Sequence, residues 1–70
     1  MRNSERLNDF YNTFKALHQT YFPDLRFGQL MLNFFGWLSN DKKIDPFFPE
    51  EQKMIEYFSE YCNVCHTRKR

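Results

Sequence analysis

Apolar side chains recur every three or four residues in three separate stretches of the chain, which is the spacing of one face of an α-helix. The first stretch places its apolar stripe on Leu7, Phe10, Tyr11, Phe14, Leu17 and Tyr21. The third stretch places its stripe on Met54, Ile55, Phe58, Tyr61, Cys62 and Cys65. No alternating pattern typical of a β-strand competes with these stripes. The pattern predicts three helices, over about residues 4–21, 25–39 and 49–63, with a basic tail at 66–70.

Proline and acidic residues mark the ends of these predicted helices. Pro23 stops the first helix, because the residue before a proline is disfavoured in the helical conformation. Asp24 offers its side chain as the N-cap of the second helix. The run Asp45-Pro46-Phe47-Phe48 is typical of a turn in which the aspartate side chain accepts a backbone hydrogen bond. Pro49 and the two glutamates after it suit the first turn of the third helix.

The second predicted helix is apolar on nearly every face. One side carries Phe27, Leu30, Met31, Phe34 and Leu38, and other sides carry Leu32, Phe35 and Trp37. Such a helix is typical of the centre of a fold, where neighbours cover it on more than one side. Gly28 and Gly36 each lower its helix propensity by about 1 kcal/mol relative to Ala. We expect them to permit close approach of another helix, or Gly36 to mark an early end or a kink. The sequence therefore predicts an all-α, three-helix domain with this helix at its centre.

The length and composition limit the size of the core. Seventy residues allow one domain, near the lower limit for a self-sufficient core. Aromatic residues make up 20% of the chain, and each of them removes roughly 150–250 Å² from water when it is buried. The chain can thus exist as a monomer, and a homodimer or a bound partner would enlarge its core. The net charge of +1 gives no general attraction to nucleic acid or to acidic partners.

The sequence carries no pattern of a targeting signal or a membrane span. Its first nine residues are polar apart from Met1 and Leu7 and contain no apolar core of a signal peptide. The longest apolar stretch, residues 30–38, is interrupted by Asn33 and Gly36 and is too short to cross a bilayer. Two cysteines do not make the disulfide framework of a small secreted protein. We therefore expect a cytoplasmic protein that does not act at a membrane.

Two blocks of sequence carry a resemblance to other proteins: Pro-Asp-Leu-Arg-Phe-Gly-Gln-Leu at 23–30 and Asp-Pro-Phe-Phe-Pro-Glu-Glu at 45–51. Together with the aromatic first helix, they resemble a group of small uncharacterised helical proteins of bacteria, phages and other mobile elements. The resemblance covers most of residues 10–58 and does not include the segment from Cys62 to His66. It implies a small helical accessory protein of mobile-element type and no catalytic activity.

The segment Cys62-Asn63-Val64-Cys65-His66 has the Cys-x-x-Cys-His spacing of c-type haem attachment. We expect no haem, because no export signal is visible and only four residues follow His66. Cys62, Cys65 and His66 are weak candidates for zinc ligands, with His18 as a distant fourth, but a second cysteine pair is absent. A redox pair is disfavoured at a helix C-terminus, where the dipole opposes a thiolate. The expectation is two packed thiols, with no metal and no cofactor.

The surplus of aromatic residues is the strongest functional signal in the sequence. The three stripes leave several aromatic side chains unplaced: Phe22, Phe35, Trp37, Phe47, Phe48 and Tyr57. Some must pack beneath the loops. The rest either form an exposed patch of the kind that marks interaction sites or cover the core of this small domain as a lid of loop aromatics. The partner-binding residues predicted on this basis, with two polar neighbours, are Arg26, Gln29, Trp37, Phe47, Phe48 and Tyr57.

The two polar residues in that set each have a structural alternative. Arg26 either pairs with an acidic neighbour at the start of the second helix or contacts a partner. Gln29 either hydrogen-bonds with Asn33 or a neighbouring backbone group, as a buried amide should, or forms a polar spot in a binding groove.

No set of catalytic residues is recognisable in the sequence. It contains no Ser-His-Asp arrangement, Gly-rich phosphate loop or His-Glu-x-x-His motif, so we expect no enzyme. The leading hypothesis is a non-enzymatic protein-binding accessory module, encoded by a phage or mobile element, that acts on a host protein, with inhibition as one mode. The second hypothesis is a small nucleic-acid-binding protein that uses its basic loop and tail: Lys42, Lys43, Arg68, Lys69 and Arg70. The neutral net charge and the acidic third helix weigh against it.

Overall fold

Three helices make up the structure, a computed structural model that describes the backbone of residues 4–68 and the side chains of residues 4–66. Helix α1 runs over Arg6–Tyr21, α2 over Phe27–Asn40 and α3 over Glu51–Arg68. Within residues 4–68 there is no β-strand. The predicted all-α, three-helix class is confirmed.

The third helix is longer than the sequence pattern predicts. It continues to Arg68, past the expected end near residue 63, so the Cys62–His66 segment is helical. No proline or glycine follows Pro49, and basic residues suit the C-terminal end of a helix dipole. The first residues of the expected basic tail, 66–68, are therefore helical, whereas Lys69 and Arg70 lie outside the described residues.

The start of α2 is capped by a different residue from the one expected. Arg26 is the N-cap, with extended backbone (φ −71°, ψ 154°), and its N–H donates to Gln29 Oε1 at 2.9 Å. This is the half of a capping box in which a side chain at the third helical position reaches back to the cap. The helix thus begins two residues later than an Asp24 cap would require, and Gln29 stabilises its first turn.

The connection between α2 and α3 contains the predicted aspartate turn. Asp45 Oδ1 accepts a hydrogen bond from the Phe47 N–H at 3.0 Å, and the Asp45 carbonyl accepts one from the Phe48 N–H at 3.2 Å. Earlier in the connection, Lys43 has a left-handed backbone (φ 61°), after which the Ile44 N–H donates to the carbonyl oxygen of Leu38 at 2.9 Å. The two hydrogen bonds accepted by Asp45 confirm the predicted turn at Asp-Pro-Phe-Phe.

The core lies between α2 and α3. Its buried members are Leu30, Phe34 and Leu38 of α2 and Phe58, Tyr61 and Cys62 of α3. Helix α1 has no fully buried residue, and it packs on this core with half-buried side chains such as Phe14, Leu17 and Tyr21. Helix α3 packs against both other helices. Helix α2 therefore supplies half of the buried side chains, but α3 contacts both other helices, so the expected central position of the second helix is wrong.

The remaining faces of α2 are open. Leu32 is 78% exposed and Phe35 is 36% exposed. A Cβ atom built on Gly28 or Gly36 would meet no atom within 4 Å, so the expected close approach of a second helix at these glycines is wrong. The described chain does not cover α2 on more than one side. Its apolar outer faces are left to solvent.

None of the helices within residues 4–68 combines the length and the hydropathy that crossing a membrane requires.

Candidate functional site

An apolar groove of about 340 Å³ lies between α1 and α2. One wall is formed by Phe10, Tyr11 and Phe14 of α1, and the other by Phe27, Met31 and Phe35 of α2. The walls touch where the rings of Phe14 and Phe27 meet edge to face, with centroids 6.3 Å apart. Because α3 packs against both helices, it holds the two walls in place.

The loop before α3 and the start of α3 complete the groove. Pro46, Phe47 and Pro49 of the loop line it, together with Glu51 and Met54 of α3. The aspartate turn places Phe47, because the hydrogen bond from its N–H to the Asp45 side chain fixes the backbone there. The ring of Phe47 is 84% exposed, the highest exposure among the large apolar side chains described.

The groove exposes aromatic surface that the sequence pattern assigned to the core. Tyr11 is 60% exposed and Phe27 is 65% exposed, so their predicted positions on the buried stripes are wrong. Successive helical residues are 100° apart. The stripes of α1 and α2 are therefore wider than the surface α3 can cover, and their outer edges face the groove.

The predicted partner-binding aromatics divide into two groups. Phe47 lines the groove, and Phe48 beside it is 73% exposed but does not line it, the two rings meeting edge to face at 5.0 Å. Trp37 is half-buried and lies against the core, with its ring 6.2 Å from Phe34 and 5.3 Å from Tyr61. The packing of Trp37 gives it a structural role, and it is not among the residues that line the groove.

The other three predicted binding residues also lie outside the groove lining. Arg26 and Gln29 are exposed at the start of α2, where the Gln29 side chain caps the helix. Gln29 and Asn33 are both exposed, so the expected burial of these amides is wrong, whereas the alternative in which Gln29 hydrogen-bonds to a neighbouring backbone group is confirmed. Tyr57 is half-buried on α3, with the Lys53 ammonium 5.6 Å from its ring centroid.

A second cavity, of about 290 Å³, adjoins the groove. Phe10 and Glu51 border both spaces, and the rest of the lining is Arg6, Asp9, Thr13, Glu50, Gln52 and Ile55. Arg6 Nε donates to Glu51 Oε1 at 2.9 Å, which joins the first turns of α1 and α3. Among the described residues, three carboxylates and one guanidinium line this cavity, so the formal charge of that lining is negative.

The basic residues of the nucleic-acid hypothesis do not form a patch in the described chain. Lys42 Nζ donates to Glu60 Oε2 at 2.8 Å and lies 5.8 Å from the centroid of Trp37. Lys43 is exposed in the loop. The side chain of Arg68 and the whole of Lys69 and Arg70 lie outside the described residues.

The cysteine segment forms part of the packing of α3. Cys62 is buried, and burial, followed by the nearby Cys65, raises the pKa of its thiol to about 11. Burial and a hydrogen bond with Cys65 raise the pKa of the Tyr61 phenol to about 12. His66 is exposed, with Nε2 3.2 Å from the carbonyl oxygen of Tyr21. Across the described residues, no three metal-ligating side chains are grouped.

Comparison with known proteins adds no relative: no protein-family model, curated protein or solved structure matches the chain. The groove residues missed from the sequence are chiefly Tyr11 and Phe27, whereas Phe35 is among the unplaced aromatics but not in the predicted binding set. The signal that could have found them is the second helix itself, which is apolar on more faces than a seventy-residue chain can cover.

Proposed function

We propose that this protein is a non-enzymatic binding module that holds an apolar segment of a partner protein in the groove between α1 and α2. The supporting observation is the groove itself, whose aromatic walls remain exposed in the described chain. Large exposed apolar patches on small soluble domains mark interaction sites. Aromatic residues and methionine, which line this groove, are enriched in the buried centres of protein interfaces.

Burial of the exposed aromatic side chains of the groove would contribute free energy to binding. Phe27 and Phe47 are largely exposed, and fully burying an exposed side chain of this size contributes about 1.5–3 kcal/mol, whereas Phe35, at 36% exposure, has a smaller contribution left to make. A few buried aromatic anchors commonly provide most of the affinity of an interface. The groove thus offers several anchors close together, which is what a short partner segment requires.

The biological setting of the proposal comes from the sequence resemblance at residues 23–30 and 45–51. It is that of an accessory protein of a phage or mobile element, acting in the cytoplasm on a host protein. Occupation of the groove by a host segment would withdraw that segment from its normal partners. The proposed mode of action therefore includes inhibition of the host protein.

Capture of partners from bacterial lysate tests this proposal when groove variants are compared with matched controls. The tagged full chain is used with and without nuclease, and bound proteins are identified by mass spectrometry. Phe35→Ser and Phe47→Ser change the groove, and Leu32→Ser and Phe48→Ser change equally apolar side chains outside its lining. All four positions are exposed, so we expect each variant to fold, which circular dichroism checks.

The expected result is one nuclease-resistant protein, bound in stoichiometric amount by the wild type and both controls and lost by both groove variants. Retention of the same protein by the groove variants would contradict the proposal. Capture that disappears on nuclease treatment would favour the nucleic-acid hypothesis instead, because such binding depends on phosphate contacts.

A further inference from the structure

The side chains that line the groove have the spacing of a surface against which a helix packs. Helix α3 packs on both α1 and α2, and the groove lies between the walls that these two helices form. Phe27, Met31 and Phe35 stand four residues apart along α2, a row about 12 Å long at 1.5 Å per residue. On α1, Phe10 and Phe14 repeat the same spacing. Rows at this spacing form the ridges between which a neighbouring helix packs.

The charge beside the groove distinguishes its two ends. The adjoining cavity shares Phe10 and Glu51 with the groove and also contains Asp9 and Glu50. Among the described residues of its lining, Arg6 is the one cation, and it is paired with Glu51 at 2.9 Å. Within the described residues Asp9 forms no ion pair, and it is exposed. The described residues that line this end carry a net negative formal charge, which favours a cationic group on an incoming segment.

We propose that the occupant of the groove is an amphipathic α-helix of another protein, with apolar anchors at positions i, i+4 and i+7 and a lysine or arginine at the end near Asp9 and Glu50. This inference rests on the proposed function and specifies its partner. The anchors pack between the rows of α1 and α2, as in other helix-in-groove complexes. The basic side chain enters the negative cavity, and the helix takes the fourth position of a bundle.

Selection from a displayed library of sixteen-residue peptides tests the inference without requiring that the partner be identified first. The full chain selects from peptides randomised at every position, and the enriched peptides are synthesised. The expected sequences have apolar residues at i, i+4 and i+7 and an excess of Lys or Arg at one end. Circular dichroism should show that the peptides gain helicity on binding.

Variants of the protein then separate the apolar and the electrostatic contributions. Phe35→Ser should abolish peptide binding, and the double variant Asp9→Asn, Glu50→Gln should weaken it about three- to tenfold at low salt, as expected for two partly exposed charges. Glu56→Gln is the matched control, because Glu56 is an exposed carboxylate of α3 outside both cavities. It should leave the affinity within twofold.

Each other outcome overturns the inference. One such outcome is a set of enriched peptides that need Phe35 yet bind in extended form or show no preference for Lys or Arg. That result would contradict the proposal of a basic helix but would leave the groove as a binding site. Enriched peptides that bind the Phe35→Ser variant as tightly as the wild type would contradict the role of the groove as the binding site. Selection that yields no peptide would show that the groove does not accept a helix.

Discussion

The ring of Phe14 on α1 stacks on the ring of Phe58 on α3, with centroids 4.7 Å apart. Phe58 is 1% exposed and also meets Phe34 of α2 edge to face at 5.0 Å. Phe14 in turn lines the groove. One stack therefore joins the core to the groove, so the packing of the core fixes the position of the groove wall. A preformed wall reduces the ordering cost of binding.

Truncation of Phe58 should destabilise the domain strongly. We expect Phe58→Ala to lower the free energy of unfolding by about 3–5 kcal/mol, because it leaves a cavity where three helices meet. Leu32→Ala, at an exposed position of α2, should change it by less than about 0.5 kcal/mol. Urea denaturation followed by circular dichroism measures both values. Similar losses for the two variants would contradict the placement of the core.

Removal of the Gln29 cap should destabilise α2. Gln29→Ala leaves the Arg26 N–H without its 2.9 Å side-chain acceptor, at an expected cost of about 0.5–1 kcal/mol. The control is Asn33→Ala at an exposed position one turn later, where alanine favours the helix and no loss is expected. Urea midpoints compare the two. A larger loss for Asn33→Ala would indicate that the second helix is held at Asn33 and not at its cap.

The domain should lose stability in alkaline solution through two buried groups. Folding raises the pKa of Cys62 from 9.0 to about 11 and that of Tyr61 from 10.0 to about 12. Between these values the folded protein retains protons that the unfolded chain releases. The stabilisation is therefore complete below about pH 9 and is lost as the pH rises towards about 12.

Unfolding midpoints in urea at about pH 8, 9.5 and 11 measure this dependence. The double variant Cys62→Ala, Tyr61→Phe should be less stable at the lowest of these pH values but should show a flatter decline above about pH 9. Tyr11→Phe removes an exposed phenol and serves as the control, with the same decline as the wild type. An unchanged slope in the double variant would mean that other groups cause the alkaline loss.

The elements that depend on local chemistry could be predicted from the sequence. The three helices follow from the spacing of apolar residues, and the Asp45 turn follows from an aspartate before a proline. The exact ends of the helices were harder to predict. The first helical turn of α2 uses Gln29 rather than Asp24 as its capping side chain, and both residues offer a side-chain oxygen. Only the extended backbone at Arg26 decides between them.

The groove could not be predicted, because it depends on how far α1 and α2 are separated across α3. Periodicity places Tyr11 and Phe27 beside buried neighbours but does not state how much of each helix α3 can cover. The expectation for Trp37 differs from the structure in the opposite direction. The residue lies outside the predicted apolar stripes, yet its ring packs against Tyr61. Of the predicted binding aromatics, Phe47 lines the groove because a local turn holds its backbone there.

Site-specific photocrosslinking tests the groove as a docking surface most directly. A benzophenone amino acid replaces Phe35 or Phe47 in the groove, or Gln19 or Asn63 as exposed controls. Gln19 comes nine residues after Phe10, and Asn63 comes nine residues after Met54. Nine residues are about two and a half helical turns, so both controls lie on the opposite face of their helix from the groove. The labelled chains are irradiated in bacterial cells, and adducts are identified by mass spectrometry.

We expect the same protein adduct from positions 35 and 47, and none from positions 19 and 63. Adducts from the control positions with none from the groove would contradict the account.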